Sequence, residues 1–190
     1  MLTFLATALV LRHTRGATTA PRTARERARV EITQEILDTA REHLVRDGAA
    51  SLSLRAVARD LGMASSAVYR YVPNRDALLT MLIVDAYDSL GESVERAEAA
   101  IARHRHLERF LVTCQAVRAW ALAHPHEYAL IYGSPVPGYA APTDTIAPAS
   151  RVPIVLVTIL VDLSAADLAP RAADIAPAVR ASIAPISSFV

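Results

Sequence analysis

Between residues 53 and 75, hydroxyl-bearing side chains are interleaved with arginines: Ser53, Arg55, Ser65, Ser66, Tyr69, Arg70, Tyr71 and Arg75. Guanidinium groups pair with guanine edges and phosphate oxygens, and serine and tyrosine hydroxyls bond to either, so this set has the chemistry of a nucleic-acid contact. Ala67 adds a methyl group suited to a thymine methyl. Other reactive groups are sparser. His104 and His106, like His124 and His126, stand two apart, which sends their side chains to different sides of a helix; the second pair also straddles Pro125, so no metal site is expected. Cys114 and Ser134 lack the neighbours of an activated nucleophile, and no paired carboxylates or glycine-rich phosphate loop stand out. Neither an enzyme nor a cofactor is expected.

The chain has 190 residues, a formal net charge of +1 and 53% hydrophobic residues, which suits one compact domain or two small ones. A single cysteine excludes a disulfide scaffold and a Cys-rich zinc site, so the chain reads as cytoplasmic. Its charge is uneven: residues 1–75 hold 12 Arg against 7 acidic residues, and residues 76–190 hold 8 against 12. A basic front half suits a polyanionic partner. No run of about 18 apolar residues occurs, so no membrane partner is expected. Residues 1–11 are apolar, but Arg12 and Arg15 follow them, the reverse of the order in a secretory signal. Residues 1–20 therefore read as a disordered or mis-called N-terminal extension.

The elements that must position the 53–75 set are all helical. Thr23 followed by Glu26 predicts a capping box, and apolar residues from Ile32 to Val45 at spacings of three and four predict a helix over Ala24–Asp47, with Gly48 as a left-handed cap. Ser53 is placed to cap a short helix through Leu61, with Leu54, Val57, Ala58 and Leu61 facing inward, and Gly62 ends it. A second short helix, residues 65–71, stops before Val72-Pro73. Two short helices joined by a tight glycine turn make a helix-turn-helix. Asn74 begins a long helix to about His104, with a break near Gly91. Helices at residues 106–123 and 125–132, an extended Gly/Pro-rich connection, and a helix at residues 152–163 complete the pattern. The prolines at 170, 177 and 185 allow only short pieces after that. The expected fold is all-α: a helix-turn-helix domain at residues 21–75 and a C-terminally short helical domain at residues 76–190.

Residues 51–79, SLSLRAVARDLGMASSAVYRYVPNRDALL, resemble the DNA-binding domain of the TetR family of transcriptional regulators. The resemblance rests on the Leu54/Val57/Ala58/Leu61 core, the Gly62 turn, Val68, Tyr69 and the Asn-Arg-Asp-Ala-Leu-Leu helix start. It implies that Ser65, Ser66 and Ala67 meet base edges at the start of a recognition helix, and that Arg55 touches guanine or phosphate. Ser53, Tyr69, Tyr71 and Arg75 would then hold the phosphodiester backbone, with Arg70 suited to either task. Arg22, Arg25, Arg27 and Arg29 are placed by the same resemblance beside the operator backbone or in the adjacent minor groove.

The resemblance further implies a homodimer on a near-palindromic operator, with recognition helices roughly 34–36 Å apart. Such a protein is a nucleoid-associated cytoplasmic repressor released by a small-molecule effector, with the helix from Asn74 as the lever. Residues 118–142 resemble the effector domain of a subgroup with a later Trp-His-Gly signature, which this chain lacks. Met81, Phe110, Cys114, Gln115, Trp120, Tyr128 and Tyr132 are the candidates to line an apolar effector pocket. The family's two long closing helices build its dimer interface, and the proline-broken residues 164–190 are too short to supply both. Two other readings fit the same residues: a DNA-binding-defective interaction protein that pairs through residues 152–163, and a small-molecule-binding helical protein using this layout as a scaffold.

Overall fold

The computed structural model describes residues 23–166, which are helical with no strand among them. Helix α1 (Ala24–Asp47) starts and stops where its capping signals stand. The Glu26 amide donates to Thr23 Oγ1 at 3.1 Å, and the Thr23 amide donates to Glu26 Oε2 at 2.9 Å. These bonds satisfy amides that the first helical turn leaves without partners. Gly48 has φ +75° but ψ 165°, so it is an extended positive-φ hinge rather than the left-handed helical cap expected. It turns the chain into a 3-10 turn (Ala49–Ser51), and the missing Cβ is what makes that φ cheap.

Helix α2 (Leu54–Asp60) and helix α3 (Ser65–Val68) form the helix-turn-helix. The turn closes through Gly62 at φ +65°, with the Met63 amide donating to the Ala58 carbonyl at 2.8 Å. Helix α3 is shorter than the expected 65–71. Beyond Val68 the bonding tightens to a three-residue repeat, with Tyr71 N–H donating to the Val68 carbonyl as the chain approaches Pro73.

Helix α4 (Arg75–Ala99) is capped by Asn74, whose side chain accepts from the Ala77 amide at 2.7 Å. It ends five residues before the expected His104 and runs unbroken through Gly91. Gly91 instead marks a close approach: a Cβ there would lie 2.6 Å from Nε of Arg151. Helices α5 (His106–Ala123) and α6 (Pro125–Tyr132) match their expected bounds. The connection after α6 is not simply extended, because it holds a 3-10 turn (Thr143–Thr145) and helix α7 (Ile146–Ala149) before helix α8 (Arg151–Ala165).

Two cores share α4. In the first, Ile36 and Ala40 of α1, Val57 of α2, Val68 of α3 and Val72 meet Leu78 and Leu79 of α4, all without exposed surface. In the second, Ala86, Leu90 and Val94 of the same helix meet Trp120 of α5. Ion pairs lock the remaining helices. Arg109, 3% exposed, donates to Glu98 at 2.5 Å and to Asp162 at 2.8 Å, joining α4, α5 and α8. Burial opposes its charge, but the two carboxylates outweigh that and hold its pKa above the ordinary arginine value. Arg41 of α1 pairs with Asp85 of α4 and with Glu127 of α6 at 3.3 Å, tying the first core to the second half.

Candidate nucleic-acid interface

The helix-turn-helix presents one polar face because its apolar residues are fully used inward. Val68 and Val72 are buried completely, so the intervening Tyr69 and Arg70 project outward, with Tyr69 42% exposed. Ser66 is exposed, while Ser65 and Ala67 are half-buried at the start of α3. Arg55 stands exposed on α2. Ser53 occupies the capping position of α2 without making a side-chain capping bond, which leaves its half-buried hydroxyl available. Helix α2 is braced from behind by the buried His43 of α1, whose Nε2 lies 2.7 Å from Asp60 Oδ2. That bond holds the Asp60 carboxyl below the usual carboxylate range.

Charge pairing separates this face from the rest of the molecule. Among the described residues Arg25, Arg27, Arg29, Arg55 and Arg70 have no carboxylate within ion-pair distance, and of the arginines beyond residue 75 only Arg118 shares that state. Arg29 lies over the Tyr71 ring, 5.4 Å from its centroid, and its Nη2 donates to the Arg70 carbonyl at 3.4 Å. Arg25, Arg29, Arg70 and Tyr71 thereby border a cleft of about 270 Å³ between α1 and the end of the recognition helix. Of the unpaired arginines, Arg25, Arg29 and Arg70 are gathered at one cleft, and uncompensated guanidiniums gathered so are the electrostatic footprint of a polyanion contact.

Arg75 is differently placed. Its Nε donates to the Leu52 carbonyl at 3.2 Å and its Nη2 to the Ala49 and Ala50 carbonyls at 3.1 and 3.2 Å. It fastens the 3-10 turn to the start of α4, a positioning task that the sequence pattern did not reveal. Arg22 lies outside the described residues.

The seven expected pocket residues do not meet in one cavity. Phe110, Cys114 and Gln115 lie on an exposed face of α5, because that helix turns Arg109, Thr113 and Trp120 inward instead. Trp120 is core, its indole N–H donating to Ser89 Oγ at 2.9 Å. Met81 packs on the first core, while the Tyr128 and Tyr132 rings meet at a tilt of 52° with centroids 5.1 Å apart. A cavity of about 530 Å³ opens elsewhere, between Ile83 and Tyr87 of α4, Leu130 and Ile131 of α6, residues 133–141, and Thr145 to Pro153. Pro135, Val136, Tyr139 and Ala141 of the connection supply part of its wall, and a Gly/Pro-rich stretch carries no apolar periodicity to announce it.

No group of three His, Cys, Asp or Glu residues suited to a metal ion occurs among the described residues. No single described helix is long and apolar enough to cross a membrane.

Comparison with known proteins places these two halves together. The family described as bacterial regulatory proteins, tetR family, matches residues 36–82, and the tetracyclin repressor-like C-terminal domain matches residues 110–184. The HTH-type transcriptional regulators Rv1816 of Mycobacterium tuberculosis and Mb1846 of Mycobacterium bovis are each 50% identical over 129 residues, 67% of this chain and 55% of the relative. The chain thus spans just over half the length of the curated relatives it matches. Among solved structures, the regulatory protein SCO4313 superposes with a TM-score of 0.66 at 41% identity, over 73% of this chain and 66% of that one. The TetR family regulator PfmR of Thermus thermophilus shares the fold, with a TM-score of 0.59 at 18% identity over 72% of this chain and 74% of that one.

Proposed function

We propose that this chain, which belongs to the TetR family of bacterial regulators, is a sequence-specific DNA-binding repressor released from its operator by a small molecule. The observation that carries the reading is the helix-turn-helix face with its unpaired arginines. Ser65, Ser66 and Ala67 enter the major groove at the start of α3, and Arg55 reaches a guanine edge or a phosphate. Tyr69, Tyr71 and Ser53 hold the backbone with Arg70, while Arg25, Arg27 and Arg29 add phosphate contacts from α1. Arg75 serves this face indirectly, through the turn it fastens.

A homodimer on a near-palindromic operator follows from the same reading. It is supported by apolar side chains left uncovered in the second half: Leu107 and Leu111 of α5, 72% and 47% exposed, and Leu160 and Val161 of α8, 59% and 48% exposed. A second copy covering such surface is the ordinary reason for its presence. The effector occupies the cavity between α4, α6 and the 133–153 segment. The test is operator binding by Arg55→Ala and Tyr69→Ala. Loss of the guanidinium weakens selective binding by about 1–3 kcal/mol, and loss of the phenol weakens all duplexes alike. Unchanged affinity in both variants overturns the reading.

A further inference from the structure

The 530 Å³ cavity has a chemical signature in its lining. Among the described residues, none of its lining side chains is Asp, Glu, Lys, Arg or His. Four of its five lining hydroxyls, all but that of Ser134, commit their protons within the protein. Tyr87 donates to the Ile131 carbonyl at 3.1 Å, Thr145 to the Pro142 carbonyl at 2.8 Å and Ser150 to the Ile146 carbonyl at 2.7 Å. Thr80 donates to the Asp76 carbonyl, so in its 2.9 Å bond with Tyr139 the phenol is the donor. Burial also pushes the Tyr87 phenol up, away from ionisation. Such a wall offers lone pairs but few free protons and no counter-charge. An ionised guest would lose hydration with nothing to replace it.

The same wall belongs to the other half of the molecule. Leu130, Val136 and Tyr139 line the cavity and also pack against the first core, which holds the recognition helix through Val68 and Val72. Behind residues 134–136 lies a second space of about 430 Å³, bordered by Leu44 of α1 and by Ala49 and Ala50. Ala49 and Ala50 are the residues whose carbonyls Arg75 grips at the start of α4. Residues 134–136 therefore have room on both sides, and a guest pressing on them acts on the seating of the helix-turn-helix.

We infer that the cavity takes an uncharged, mainly apolar molecule of drug size, and that residues 134–139, which wall it and pack into the helix-turn-helix core, transmit its presence. The ligand class rests on the lining alone, whereas the transmission rests on the regulator reading. This assigns the coupling to the segment after α6 rather than to α4 acting as a lever. Its strength equals the difference in the guest's affinity for the two seatings.

Two fluorescent probes of equal ring size separate the chemistries: uncharged N-phenylnaphthylamine and its anionic analogue anilinonaphthalene sulfonate. Titrated into the full chain, the neutral probe is expected to bind at least about tenfold more tightly, as desolvating an unpaired sulfonate costs more than that ratio. Ala141→Trp, on the exposed rim, and Ala149→Trp, on α7, should each weaken the neutral probe about tenfold by filling the cavity. Equal binding of the two probes, or undiminished binding by both tryptophan variants, overturns the ligand assignment. For transmission, the bound neutral probe, at saturation, should change amide hydrogen exchange across residues 68–82 in the parent chain and much less in Thr80→Val, which removes the partner of the Tyr139 phenol from outside the cavity lining. An identical exchange response in Thr80→Val overturns it. Operator binding by the parent chain is measured in parallel. Its absence would overturn the regulator reading and the transmission with it, while the probe titrations decide the ligand class independently.

Discussion

Replacing Gly91 by alanine should change the sign of its effect on stability when Arg151 is removed. In an ordinary helix interior, glycine to alanine stabilises by about 1 kcal/mol, because alanine loses less backbone freedom on folding. Here the added Cβ would lie 2.6, 2.7 and 2.9 Å from Nε, Cδ and Cβ of Arg151. That side chain cannot yield freely. Its Nε and Nη2 donate to the two Glu95 oxygens at 2.8 and 2.7 Å, and its Nη1 donates to the carbonyl and carboxylate of Asp88 at 2.8 and 2.9 Å. The pairs are partly exposed, Glu95 39% and Asp88 51%, so they contribute about 2 kcal/mol together, well below the value for buried ion pairs. Gly91→Ala in the parent chain should therefore destabilise by about 1 kcal/mol, the loss of about 2 offset by the propensity gain. In an Arg151→Gly background, which also removes the Cβ at 2.9 Å, it should stabilise by about 1 kcal/mol. The assay is urea unfolding at fixed m-value for the four members of the cycle, read as a coupling energy of about 2 kcal/mol. Stabilisation of equal size in both backgrounds would refute the close approach of α8 to α4.

Trp120→Ala should cost about 3–5 kcal/mol, since a nearly buried indole is removed and its partner Ser89 is left without the bond; thermal melting reads this directly. Acid should loosen the fold through two carboxylates. Asp60 is held low by its bond to His43; burial alone would raise Asp162, but Arg109 and Arg103 outweigh it and hold it low. Both folded pKa values lie below the unfolded one, so their stabilisation is present above about pH 4 and is lost as the pH falls through the folded values. Urea midpoints measured from about pH 5 down to 2.5 should fall steeply in the parent chain and less so in Asp162→Asn.

Much of the fold was legible because local signals and the core pattern agree. Thr23 and Glu26 mark one end of α1 and Gly48 the other, and the apolar spacing of Leu54, Val57, Ala58 and Val68 is what the first core uses. The sequence is least informative where a residue answers to a distant partner. Gly91 looks like a break in sequence, yet it is a contact surface for Arg151, sixty residues away. Arg75 suits a phosphate contact, and its Nε and Nη2 also serve three backbone carbonyls, a task no sequence pattern announces. Helix α5 carries apolar residues nearly all round, so its periodicity does not say which of Phe110, Cys114 and Trp120 faces inward; only packing against α4 decides for Trp120. The cavity was illegible for the opposite reason. Val136 and Tyr139 sit among prolines and glycines with no period, and their role appears only when the segment folds back onto the first core.

The central claim is that the unpaired arginines of the helix-turn-helix face engage operator DNA. It is tested most directly by fluorescence anisotropy of the full chain on the duplex upstream of its own gene, against a scrambled duplex, at about 50 and 200 mM salt. Selective binding that weakens at least about a hundredfold between those salt concentrations is the predicted result, as expected when several guanidiniums displace counterions. Binding that is equal on both duplexes, or insensitive to salt, would contradict it.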